Sequence, residues 1–397
     1  MTAIENSTVL EPKIGFRGLF LHAWDLAEDI DRLLAWMKET GLNTLCLAAN
    51  YHQGWFIHPH SRTHCAYLTE GDVAYFHPQH SLYERIRVAP SVAPLAAKTD
   101  WLAEASRRAG SEFRLVAWTI GCHNTTIGLT HPELTVRNVF GDSLPHALCP
   151  AQPEVREYLK ALCRDLATNY PLWGIQLEAF GWMGFAHGHH HERNLIGLNP
   201  FELDLMGLCF CDACRAQATQ AGIEIEKVKA EVQAVLLGAL REAPERPRGH
   251  PCSTLDMQDK SLEYSRFCQW RDEVAHRLVN EIKTECLGDD RCRLLLQTCF
   301  DPALSKTVDG FACIAFEKSA PETLRACRDL RGSSGDWKGL LQCLIQLGNG
   351  IPGSEHELLE IISAALAGGC NGVNFYNYSE APPKMLQWLA QTLPQFA

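Results

Sequence analysis

The stretch Trp173–Glu178 reads WGIQLE, a short and largely apolar run closed by a carboxylate, and the helical pattern Pro153–Tyr170 leads into it. A run of this length without strict polar alternation is what a strand buried on both faces shows. The same unit recurs as Gly15–His22 (GFRGLFLH), Thr44–Tyr51 (TLCLAANY), Phe113–Gly121 (FRLVAWTIG), Arg293–Phe300 (RLLLQTCF), Gly310–Glu317 (GFACIAFE), Leu340–Leu347 (LLQCLIQL) and Gly372–Tyr378 (GVNFYNY). Helical patterns occupy Leu26–Thr40, Asp100–Ala109, Pro153–Tyr170, Leu262–Glu285, Pro321–Leu330, Glu355–Ala367 and Pro383–Thr392, several opening on Asp, Ser or Pro. Between the fifth and sixth runs, Asp301–Asp309 is too short for an ordinary helix.

Strands alternating with helices imply a parallel sheet with crossover connections. Eight such units in 397 residues imply an α/β fold, one (β/α)8 TIM barrel domain spanning 1–397, with its chemistry at the carboxyl ends of the strands. Long insertions are expected after strands 2 and 4. The first, 51–98, is dense in His and aromatic residues (YHQGWFIHPHSRTHCAYLTEGDVAYFHPQH) and reads as a folded lid over a pocket. The second, 179–254, holds a helical stretch, Glu224–Ala243, followed by the loop Glu245–Thr254. Loops beyond about 12–15 residues are usually functional or disordered.

With 36 Lys and Arg against 47 Asp and Glu, the net charge is −11, and no basic run offers a footprint for a phosphate backbone. Nucleic acid is therefore not expected as a partner, and a small neutral ligand is. No export signal and no membrane-spanning apolar run is present, so the reading is a soluble, cytoplasmic protein with no membrane partner; homo-oligomerisation is left open. An odd count of 17 cysteines points to reduced thiols, with metal ligands among them.

Cys209, Cys211 and Cys214 stand at C-x-C-x-x-C spacing, and three thiols so placed can turn towards one centre. A structural zinc wants four ligands in a tetrahedron, and Cys149, in HALCPAQPEV on the loop leaving strand 3, is the fourth candidate because neighbouring strand-end loops meet at the rim. Cys46, Cys163, Cys268, Cys313 and Cys343 lie in apolar patterns and read as small hydrophobes. The Cys-aromatic-Cys-x-x-Cys after strand 4, the Cys-Pro after strand 3 and the carboxylate ending strand 4 together resemble the family 42 β-galactosidases of the large retaining clan. The specific motifs of that resemblance sit within residues 149–214. It implies a zinc on the four cysteines, Glu178 as acid/base and a nucleophilic Glu ending strand 7. The chain departs from the family in two places: Leu177 precedes Glu178 where the family has Asn, and strand 7 ends Gln346-Leu347-Gly348-Asn349 without a carboxylate.

Glu178 closes a buried strand at the active end of the barrel, beside Phe180 and Trp182, whose apolar surroundings would raise its pKa into the range of a general acid. Glycoside hydrolysis normally needs a second carboxyl group. Glu317, ending the sixth run, is the first choice, with Lys318 beside it allowing an ion-paired role instead; Asp301, Glu380 and Asp25 follow. His22, Trp24, Asn50, Trp118, His123, Asn124, Trp182, His187, Gln297, Tyr376 and Asn377 are expected to bind a small carbohydrate, its hydroxyls taking hydrogen bonds and its C–H face lying on a ring. Dinucleotide, Walker, G-x-S-x-G and H-E-x-x-H signatures do not occur. The expected function is thus a glycosidase using carboxylate acid/base catalysis. Two rivals stand beside it: a metal-dependent lyase or isomerase built on Glu178 and the His187–His191 cluster, and a carbohydrate-binding barrel without catalysis.

Overall fold

The computed structural model describes residues 14–186, 196–242, 261–288 and 292–397; the loop Glu245–Thr254 and His187, His189, His190 and His191 lie outside the described residues. Eight strands close into a parallel barrel: β1 (Phe16–Leu21), β2 (Thr44–Ala48), β3 (Arg114–Ile120), β4 (Gly174–Glu178), β5 (Arg293–Leu296), β6 (Gly310–Ala315), β7 (Leu340–Gln346) and β8 (Gly372–Tyr376). They follow chain order around the ring, β8 closing on β1. The fold is a (β/α)8 TIM barrel. Its strands form where the sequence can be buried on both faces, as in β2, all five of whose residues are buried.

Among the described residues, seven helices ring the barrel: α1 (Ala23–Glu39), α2 (Trp101–Ala109), α3 (Pro153–Asn169), α4 (Leu262–Glu281), α5 (Ala320–Ser334), α6 (Glu355–Ala367) and α7 (Pro383–Thr392). Their starts are set by local chemistry. Asp100 accepts from the Ala103 N–H, Ser354 accepts from the Glu357 N–H, and Ser319 with Glu322 forms a capping box. Between β5 and β6 there is only the 3-10 turn Pro302–Leu304, and the two strands share a single register pair, Leu295 with Gly310.

Inside the barrel, Phe20, Cys46, Val116, Trp118, Leu295, Ala312 and Leu344 pack with three fully buried amides, Gln176, Gln342 and Asn374. Asn374 Nδ2 donates to Gln342 Oε1 (3.1 Å), and Gln342 Nε2 donates to Gln176 Oε1 (3.3 Å). β1 passes this layer with Gly18, where a Cβ would lie 2.6 Å from Asn374 Oδ1.

The described residues of both insertions are folded. In 51–98, Trp55–Ile57 pairs with Ala66–Leu68, while Val73–Ala74 joins Asn50–Tyr51 to Ser91–Val92. After β4, helices Pro200–Met206, Asp212–Gln220 and Ile225–Glu242 pack with α4 and with the hairpin Thr135–Arg137/Ser143–Leu148 into a second core, which includes Leu205, Val228, Leu236, Phe267 and Trp270. No described helix is long and apolar enough to cross a membrane.

Candidate active site at the barrel mouth

Glu178 is the last residue of β4, held there by the Gly121 N–H donating to its carbonyl (2.9 Å). The residue keeps some exposure at the mouth while its carboxyl is set deep: Trp118 Nε1 donates to Glu178 Oε2 at 2.6 Å, and Gln297 donates a second bond. Burial raises the pKa of this carboxyl, and the two donors pull it back. Gln176 Nε2 donates to Gln297 Oε1 (3.3 Å), which takes up that oxygen and turns the Gln297 amide nitrogen to the carboxyl. The side-chain amides therefore form one directed series, Asn374 to Gln342 to Gln176 to Gln297 to Glu178, each passing an N–H to the next.

Two phenols stand beside Glu178. Tyr51, from the start of the first insertion, lies 3.4 Å by its hydroxyl from the hydroxyl of Tyr376 at the end of β8. Burial raises Tyr51 well above the ordinary phenol range and Tyr376 to about 12, and the charges of both Glu178 and Glu380 add to each shift. Glu380, on the turn that follows Tyr376, is a further carboxylate on the β8 side of the mouth. Asn377 Nδ2 donates to Glu380 Oε2 (2.6 Å), while the Glu380 N–H donates to Asn377 Oδ1 (2.9 Å); burial raises this carboxyl too.

Glu317, the expected partner, is placed elsewhere. It is exposed, has a φ of 54°, and accepts from Asn349 Nδ2 (2.8 Å) on the loop after β7. Phe316 takes the inward position instead, its ring 5.0 Å from that of Tyr376.

Beneath these groups lies an aromatic cluster. His22 stacks on Trp24 at 4.2 Å and meets the rings of Tyr51, Phe56 and Trp118. Phe56 and Tyr67, from the hairpin of the first insertion, pack on Trp24 at 5.3 and 5.2 Å, which anchors that insertion over β1. Ser379 binds the cluster from the β8 side: its hydroxyl donates to Asp25, accepts from Trp24 Nε1 (3.0 Å) and lies 2.8 Å from His22 Nδ1. Burial lowers the His22 pKa well below the usual imidazole range and raises Asp25 to about 7. His22 Nε2 is buried without a hydrogen-bond partner.

The remaining expected ligands divide by what their polar atoms already bind. Trp118, Gln297 and Tyr376 touch Glu178 or its phenol neighbours. His123, 7 % exposed, stacks on His52 at 4.3 Å, and His52 in turn stacks on Tyr51. Asn50 spends its amide on the β3 backbone, accepting from the Ile120 N–H and donating to the Ile120 carbonyl. Asn124 caps the short helix Thr125–Thr130 through the Ile127 N–H. Trp182 belongs to the second core, beside Trp270 and under Arg271. His187 lies outside the described residues. Sequence reasoning left out Gln176 and His52 and ranked Glu380 low. For Glu380 a signal existed in Asn377 three residues earlier, a spacing at which an amide and a carboxylate exchange bonds across a turn.

The four cysteines converge as expected. All are buried, with Cys149 Sγ 3.4 Å from Cys214 Sγ, 3.6 Å from Cys209 Sγ and 3.7 Å from Cys211 Sγ. A tetrahedron of thiolates at about 2.3 Å from zinc has an edge of roughly 3.8 Å, so the set fits that ion. The Arg137 N–H (3.4 Å) and Gln152 Nε2 (3.6 Å) reach the Cys209 and Cys211 sulfurs, the kind of outer contact that orients thiolate ligands. Such an ion would tie the hairpin after β3 to the helix Asp212–Gln220, away from Glu178. Among the described residues the other convergent ligand group is also purely cysteine: Cys313, Cys327 and Cys343.

No protein-family model and no curated protein sequence matches the chain. Solved structures do. An α-L-fucosidase, isoenzyme 2 from Paenibacillus thiaminolyticus, superposes on 96% of this chain with a TM-score of 0.58 and 11% identity, and this chain spans about half (49%) of that one. The glycoside hydrolase domain of PgaB (BpsB) from Bordetella bronchiseptica matches 95% of this chain over 98% of its own length, with a TM-score of 0.53 and 13% identity. These likenesses establish the shared barrel.

Proposed function

We propose that the protein hydrolyses a small glycoside or oligosaccharide, with Glu178 as general acid/base and Glu380 as the second carboxylate, and that a structural zinc on Cys149, Cys209, Cys211 and Cys214 holds the rim. The observation that carries this reading is a carboxyl set deep at the end of β4, taking the Trp118 Nε1 bond at 2.6 Å, with the Tyr51–Tyr376 hydroxyl pair and the Asn377-held Glu380 on the β8 side of the same barrel mouth. A proton held by Glu178 can pass to the glycosidic oxygen as the C–O bond breaks, and the same group, then ionised, can take a proton from the attacking water. Glycoside hydrolases among the structural neighbours support the class. The family 42 resemblance adds the four cysteines and Glu178, and its nucleophile position at strand 7 has no counterpart here.

The test is turnover on a panel of nitrophenyl glycosides. Glu178→Gln is expected to lower kcat by about 10²–10⁴, and Glu380→Gln to lower it strongly, while Glu317→Gln leaves it unchanged. Full activity in Glu178→Gln would refute the assignment.

A further inference from the structure

The amino-terminal face of the barrel, opposite Glu178, carries a cavity of about 630 Å³ whose walls include Arg114, Trp173, Arg293, Lys306 and Lys338. The guanidinium carbons of Arg114 and Arg293 lie 5.2 and 4.4 Å from the centre of the single Trp173 ring. Arg17, at the start of β1, is close enough that the charge of Arg114 adds to the effect of burial in lowering its pKa. Among the described residues none of these five cations has a carboxylate partner, and the Arg293 guanidinium donates to no described residue. The acidic side chain in the wall, Asp309, is occupied by Lys283 Nζ (2.9 Å) and the Leu294 N–H (2.8 Å). Elsewhere cations commonly sit on carboxylates: Lys38, Arg87, Arg107, Arg108, Arg156 and Lys160 are all ion-paired.

Packing explains one arginine over a tryptophan, since that contact is itself favourable. It does not explain a second arginine on the same ring, a third nearby and two lysines, all without a carboxylate partner among the described residues, in a chain whose net charge is −11. Like charges gathered at one concavity raise the local concentration of an opposite ion, and arginine forks match phosphate oxygens two at a time. A volume of this size admits a small metabolite.

We propose that this cavity binds a phosphate-bearing small anion through Arg114, Arg293, Lys306 and Lys338. The site is independent of the glycosidase reading. Calorimetric titration of the full chain at low ionic strength, with inorganic phosphate, pyrophosphate and glucose 6-phosphate as probes and glucose as the uncharged control, tests it. Saturable binding of a phosphate probe is expected, none of glucose, and a steep loss with added salt. Arg293→Gln should weaken binding roughly tenfold or more, as removal of a charge-assisted bond implies. Lys338→Gln, on an exposed side chain, repeats the test without touching the core. Arg328→Gln, on α5 and outside the cavity, and Glu178→Gln should leave binding unchanged. A phosphate ester binding more tightly than inorganic phosphate identifies a metabolite as the occupant, and equal affinity identifies the free ion. Failure of all three probes to saturate at millimolar concentration, or binding unaffected by both cavity substitutions, overturns the proposal.

Discussion

Asp25 gives the sharpest thermodynamic test, because its environment leaves an ionised carboxyl without a cation. Its oxygens accept from Ser379 Oγ (2.8 and 2.7 Å) and from the His22 N–H (2.8 Å), yet burial outweighs these bonds and raises its pKa from 3.8 to about 7. His22, the adjacent base, is itself driven to the neutral form by burial and supplies no compensating charge. The folded protein therefore retains a proton that the unfolded chain releases. The resulting stabilisation is fully present below the unfolded value and is lost as pH rises through about 7. A rise from 3.8 to about 7, at 1.36 kcal/mol per unit, corresponds to about 4 kcal/mol. In Asp25→Asn the amide oxygen can take the Oδ2 place, accepting from the His22 N–H and from Ser379 Oγ, and the side chain does not ionise. Urea unfolding of both proteins at intervals between about pH 4 and pH 8 should show the wild type losing up to about 4 kcal/mol relative to the variant, most of it before pH 7. Parallel stability curves across this window would refute the argument that Asp25 is held protonated by burial.

Three further outcomes follow from the same contacts. Gln176→Met removes the donor that fixes the Gln297 amide; with that orientation lost, kcat on the best glycoside should fall roughly tenfold and the limb of the pH profile belonging to Glu178 should move upward, whereas a purely structural role would leave that limb in place. Protein made without chelator should contain one zinc per chain by elemental analysis, and Cys211→Ser should lose it and expose the helices of the second core to protease before the barrel; a metal-free wild type defeats the site. Gly18→Ala should cost about 1–3 kcal/mol in chemical denaturation, because its Cβ would meet Asn374 Oδ1 at 2.6 Å, and a variant of wild-type stability would show that the amide layer shifts freely.

The barrel was legible because burial on both faces marks a strand without reference to its neighbours, and all eight apolar runs became barrel strands. α6 and α7 begin and end where the periodicity places them, and α2 begins after the Asp100 cap. Position along a strand, however, fixes only how high a side chain stands in the barrel. Direction comes from the local backbone, and at Glu317 a left-handed φ of 54° leaves the carboxylate exposed while Phe316 takes the inside place. The same limit separates Trp118 from Asn50 and Asn124. Asn50 and Asn124 lie just past β2 and β3, where short amides satisfy backbone groups as the chain leaves the sheet, whereas Trp118 lies within β3 and its indole N–H reaches across to Glu178. The arginines of the amino face were equally invisible, since they come from separate strands and form no run.

The buried amides explain why the barrel interior is not wholly apolar. Burying three side-chain amides is costly unless each is paired. Gln176 and Gln342 use both ends of their amides within the series, and only Asn374 Oδ1, at its origin, has no partner. A leucine at position 176 would fill the layer at less polar cost, so a need for orientation favours the glutamine. With its oxygen occupied from below, Gln297 can present only N–H to Glu178, and together with Trp118 it stabilises the carboxylate that burial disfavours. The two influences oppose each other at one oxygen pair. A carboxyl raised by burial and restrained by fixed donors can both release and recover a proton, which is the property an acid/base residue requires.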